Sequence, residues 1–161
     1  MHHRNTLNGE KEILEIDGYT PLRNDRNKDG GGIIIYVENK LKHITTIVEK
    51  KKDVEEALWV VVDNSKFALR MGVVYAPQES RTSAEEYEEM YESIGEQILL
   101  AKQKNQKLLL MGDFNCKIGE RIKGNTEEVS QSAKNFLSMI KTNKLYIVNQ
   151  TEKRTGLSLV S

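Results

Sequence analysis

The chain has 161 residues, 38% of them hydrophobic and 30% charged, a length that fits one domain (residues 1–161) with a real core. Its 24 lysines and arginines balance its 24 aspartates and glutamates, which excludes binding to nucleic acid through bulk positive charge but leaves room for a local basic groove. The single cysteine, Cys116, excludes an internal disulfide, and neither a membrane-length apolar run nor a signal-peptide core is written, so the composition fits an intracellular, reducing setting, nuclear or cytoplasmic.

In chain order, the first sixteen residues are polar, with Leu7, Ile13, Leu14 and Ile16 to bury, and accommodate a short helix. Gly18–Arg23 reads as an extended segment. Asn24–Gly32 (NDRNKDGGG) is turn chemistry, and GIIIYV after it is a β-branched apolar run, so a hairpin from Tyr19 through Val37 is expected. HITTIVEK alternates and predicts a strand beginning near His43. LWVVVD and KFALRMGVVYA are two strands separated by NSK. Beyond Pro77 the period changes: Tyr87, Tyr91, Ile94, Ile98 and Ala101 mark one face of an amphipathic helix, and Ser83 with Glu86 forms a capping box at its start. Lys107–Met111 is a buried strand. A second helix is expected over Ser132–Thr142, with Asn143 as its cap, and LYIVN is a last strand. Strands paired locally, then helix, strand, helix, strand, predict an α/β (α+β) fold with helices outside.

The residues that could carry chemistry cluster at strand ends. In LLLMGDFN an apolar strand runs into Gly112, then Asp113 and Asn115. A carboxylate can orient or deprotonate a water, and an amide can donate to a developing oxyanion. Both also suit an Asx turn, and composition alone favours the turn. Tyr75, at the end of MGVVY before a proline, could bind a phosphate oxygen or sit at the rim of the core. Gln78 could bond substrate or be a loop residue. DGGG lacks the Lys-Ser/Thr ending of a P-loop and reads as hairpin chemistry. Arg23, Arg26 and Lys28 flank it and could touch a nucleic-acid backbone. His2, His3 and His43 show no zinc spacing, and no set of metal ligands is legible.

Taken in order, GGGIIIYV, LWVVV, MGVVYAPQ and LLLMGDFN resemble the endonuclease/exonuclease/phosphatase superfamily, most closely the apurinic-type endonuclease domain of non-LTR, LINE-like retrotransposons. The resemblance runs from about Gly18 to Gly156. It implies a four-layer α/β sandwich, two face-to-face mixed β-sheets flanked by helices, and phosphodiester hydrolysis with magnesium or manganese on DNA. By it Asp113 would activate the attacking water, Asn115 would contact the scissile phosphate and help hold Asp113, and Tyr75 would contact the same phosphate. Gln78 and Arg23 are the candidate substrate-binding residues beside them. The resemblance also implies an upstream metal-binding glutamate and a downstream Asp-His. Neither is written here, so the fold is expected to be incomplete at both ends and the isolated chain weak or inactive, with strand edges that invite self-association. A non-catalytic nucleic-acid- or protein-binding remnant of the fold, and a phosphatase of the same superfamily, are the alternative readings.

Overall fold

The computed structural model describes residues 15–25, 32–48, 57–78, 82–116 and 130–148, together with the backbone of residues 157–160. The expected amino-terminal helix, His2, His3, Arg26 and Lys28 lie outside these residues.

Strands β1 (Tyr19–Asp25) and β2 (Gly32–Glu38) form the expected hairpin, antiparallel with Tyr19 opposite Glu38 and Asp25 opposite Gly32. β1 runs two residues further than its polar sequence indicated, taking Asn24 and Asp25 out of the turn. A 3-10 helix (Asn39–Ile44) follows, so His43 belongs to a helical turn and not to a strand start. The next strand, β3 (Thr45–Ile47), is short. β4 (Ala57–Asp63) and β5 (Ala68–Tyr75) pair antiparallel through the Asn64–Phe67 turn, where Asn64 Oδ1 accepts from the Lys66 and Phe67 amides.

Helix α1 (Ala84–Gln103) opens on the expected capping box: the Ser83 hydroxyl accepts from Glu86 N–H, and the Glu86 carboxylate accepts from Ser83 N–H at 2.8 Å. Its own backbone amide and the Ser83 hydroxyl hold the Glu85 carboxyl below the usual glutamate range. β6 (Lys107–Asp113) then runs parallel to β5, α2 (Gln131–Asn143) crosses back, and β7 (Tyr146–Ile147) and β8 (Leu157–Val160) complete the sheet. The α2 cap differs from expectation. Lys144 takes the left-handed position at φ 55°, while Asn143 turns inward and donates to the Met139 carbonyl.

The large sheet has the order β3-β4-β5-β6-β8-β7 and is mixed, because β5–β6 is parallel and its neighbours are antiparallel; β1–β2 is a separate antiparallel sheet. Period-two alternation divides the large sheet's residues between two cores. Ala57, Trp59, Val74, Leu108 and Leu110 face α1 and α2, joined by Ile94, Ile98 and Phe136. Gly72 lies under the Trp59 ring, where a Cβ would come within 2.5 Å of it. On the same face the buried Arg70 guanidinium donates to Gln97 and Gln106, fastening β5 to α1 and to the loop that follows it; burial lowers its pKa. Leu58 and Val60 point the other way. They are fully buried beneath the hairpin, whose inner residues Ile33 and Val37 are also buried and whose β2 packs against β4 and β5. Burying each such aliphatic side chain is worth about 1.5–3 kcal/mol. The order helices, six-stranded sheet, two-stranded sheet gives the expected pair of face-to-face sheets, with three of the four expected layers among the described residues and the smaller sheet antiparallel rather than mixed.

Candidate active site

The parallel pairing of β5 with β6 puts two chemically capable residues side by side. Tyr75 and Asp113 are direct Cα partners at the shared carboxyl end of the pair, on strands about 4.8 Å apart. Both alternate with residues of the helix-side core: Val74 and Ala76 flank Tyr75, and Leu110 and Phe114 lie before and after Asp113. They therefore open on the opposite face, the side on which the hairpin lies. Tyr75 is 41% exposed and Asp113 half-buried. Ligands of layered α/β folds gather at such strand ends.

The residue between Asp113 and Asn115 explains their spacing. Phe114 is buried against Phe136, ring centroids 4.7 Å apart, and pins the chain as it leaves the sheet. Asn115 takes a left-handed backbone at φ 44°, which asparagine tolerates, and its N–H donates to Asp113 Oδ1 at 3.0 Å. This is the Asx turn that composition favoured, and it also fixes the carboxylate. The Asn115 side chain donates through Nδ2 to the Ala76 carbonyl at 2.6 Å, while Ala76 N–H donates to the Asp113 carbonyl at 2.8 Å. The exits of β5 and β6 are thus stitched together in both directions. Beyond them the Tyr87 hydroxyl, from the first turn of α1, donates to the Pro77 carbonyl.

Of the sequence-derived candidates, the structure brings Tyr75, Asp113 and Asn115 together. Gln78 is exposed one residue past Pro77. Arg23 stands apart. Its guanidinium pairs with Asp25 Oδ1 at 2.9 Å, on the face of β1 opposite to Asn24. Asn24 is the residue turned toward the large sheet. It is 7% exposed, and its Nδ2 donates to the Ala57 carbonyl at 2.6 Å. Ala57 pairs with Val74, so Asn24 sits one residue's height below Tyr75. Sequence reasoning missed Asn24, because LRND before a glycine loop looks like turn chemistry, and it read Tyr87 only as helix core.

For a metal ion this edge carries one carboxylate, Asp113, and one amide oxygen, on Asn115. No group of three or more His, Cys, Asp or Glu side chains stands together among the described residues. Magnesium takes near-octahedral oxygen coordination, usually from one or two carboxylates with waters and substrate phosphates. The two residues are a partial set and do not make a metal site by themselves.

No family model matches the sequence, and no curated protein matches it. Solved structures do. The endonuclease domain of TRAS1, a telomere-specific non-LTR retrotransposon, is similar at a TM-score of 0.59 and 13% identity, over 91% of this chain and 68% of that one. The mannosyl-6-phosphatase Bt3783 of Bacteroides thetaiotaomicron matches at 0.54 and 17% identity, over 91% of this chain and 64% of that one. An endonuclease/exonuclease/phosphatase family protein from the same organism matches at 0.54 and 18% identity, over 89% and 61%. The chain therefore has the endonuclease/exonuclease/phosphatase fold, as its motifs implied. It spans 61–68% of the length of these structures.

Proposed function

We propose that the chain is the phosphodiesterase part of a DNA endonuclease of retrotransposon type, a weak catalyst in isolation. The observation that supports this reading is the pairing of Tyr75 with Asp113 at one strand end, with Asn115 folded back onto the Asp113 carboxylate. In the proposed step a water oxygen attacks phosphorus, and its proton passes to the Asp113 oxygen that Asn115 leaves available. The phosphorus–oxygen bond to the leaving group breaks with its electron pair, and solvent protonates the departing oxygen. The Tyr75 hydroxyl donates to a non-bridging oxygen as charge builds there, where a donor lowers the barrier most. Asn115 holds the carboxylate and the Ala76 carbonyl, so its part is more to hold Asp113 than to touch phosphate. Magnesium or manganese, implied by the resemblance, would supply further charge on the phosphate.

The test is nicking of supercoiled plasmid by excess protein with magnesium, with manganese and with EDTA. Slow nicking is expected, reduced about 10²–10⁴-fold in Asp113→Ala and about 10²-fold in Tyr75→Phe, and the EDTA arm reports whether a divalent ion takes part. Nicking indifferent to Asp113, or saturable DNA binding without any cleavage, overturns the reading. A phosphatase is the second reading, favoured by the likeness to a mannosyl-6-phosphatase. Asp113-dependent release of phosphate from a sugar monophosphate, with plasmid left intact, would select it.

A further inference from the structure

We propose that Tyr87 is a positioning residue for the Tyr75–Asp113 edge, an inference that rests on the hydrolytic reading of that edge. The loop leaving β5 must hold Tyr75 against Asp113 with no regular structure beyond residue 75 to do so. Among the described residues, three hydrogen bonds stand in for that structure. Ala76 N–H reaches the Asp113 carbonyl, Asn115 Nδ2 reaches the Ala76 carbonyl, and the Tyr87 hydroxyl reaches the Pro77 carbonyl. The first two tie the loop to β6. The third ties it to α1, a second element with its own seat.

That seat is well defined. Tyr87 is 3% exposed, and its ring stacks on Tyr91 at 6.4 Å with planes 18° apart. The capping box fixes the same turn of α1. A phenylalanine would fill the same apolar space, so the core does not call for the hydroxyl; the loop does. Tyr91 supplies the internal control. It is one turn further along the same stack, and its hydroxyl meets Ser132 of α2 at 3.5 Å.

The experiment compares Tyr87→Phe with Tyr91→Phe in the full 161-residue chain. Amide hydrogen exchange at Ala76 and Asn115, the two bonded amides of the edge, is read by NMR. Tyr87→Phe should speed exchange at both by about five- to tenfold, the size expected from one lost hydrogen bond, and Tyr91→Phe should leave them unchanged. In the nicking assay Tyr87→Phe should lower kcat about tenfold with KM unchanged, because misplacement of reacting groups falls on the chemical step. Equal exchange in the two variants, or none faster than wild type, overturns the positioning role whatever the nicking shows. Faster exchange in Tyr87→Phe alone supports it even where wild type fails to nick, which would count against the hydrolytic reading only.

Discussion

A Cβ built at position 112 would lie 1.8 Å from the Val74 carbonyl oxygen, and φ there is +139°, a conformation closed to side-chain-bearing residues. Gly112 is the cross-strand partner of Val74, one step before the Tyr75–Asp113 pair, so the close approach of β5 and β6 that aligns those residues depends on it. Gly112→Ala should therefore cost roughly 3 kcal/mol or more in urea unfolding and misalign the pair. Gly95, in the middle of α1, would place a Cβ with nothing within 4 Å, and Gly95→Ala should stabilise by about 0.5–1 kcal/mol. Finding the two variants alike in midpoint would show that the backbone approach at Gly112 relaxes freely. The same contrast explains what was legible at this scale. Asp113, Asn115 and Tyr75 stood out because their neighbours, a glycine and a proline after apolar runs, mark strand ends. Asn24 and Tyr87 did not, because each bonds a backbone carbonyl outside its own element, Ala57 for Asn24 and Pro77 for Tyr87, and pairing of that kind leaves no local pattern.

Among the elements, those marked by apolar periodicity or by turn chemistry were readable, and the short closing strand was not. The stripe of α1, the buried run of β6 and the box at Ser83 and Glu86 all matched. β8 was unread: Leu157–Val160 has four residues, and its place between β6 and β7 comes from the strands beside it rather than from its own composition. The end of α2 misled for a different reason. Asparagine is the usual non-glycine at a left-handed cap, so Asn143 drew the assignment, yet the helix runs one residue further and Lys144 carries the positive φ. A lysine there bears a Cβ cost that glycine lacks, about 1 kcal/mol. The Lys144 amide still closes the helix on the Ile140 and Lys141 carbonyls, and glycine would keep those bonds. Lys144→Gly should accordingly raise stability by about 0.5–1 kcal/mol in thermal and urea unfolding. A loss of stability would mean that the lysine side chain contributes more than its backbone costs.

For the whole molecule the open question is whether the hairpin folds as one unit with the large sheet. Two strands alone are marginal in water. The β1–β2 sheet owes its place to Ile33 and Val37 over Leu58 and Val60, and to the buried amide of Asn24 on the Ala57 carbonyl. Trp59, the single tryptophan, lies on the other face of β4, in the helix-side core, and reports that core without touching the hairpin side. Circular dichroism reports both sheets. Asn24→Ala removes the donor from a buried carbonyl, which costs about 1–3 kcal/mol. If β4 couples the two cores, that loss is shared: tryptophan emission and far-ultraviolet dichroism should shift together to lower urea, with an unchanged slope. An early dichroism phase that Trp59 does not sense, with a reduced slope, would show the hairpin melting alone. The distinction bears on the active edge, because Asn24 grips the large sheet one residue below Tyr75. In a single cooperative unit a change at the hairpin reaches the site as lost stability; in two units it reaches the site as a floor that opens while the rest of the fold stands.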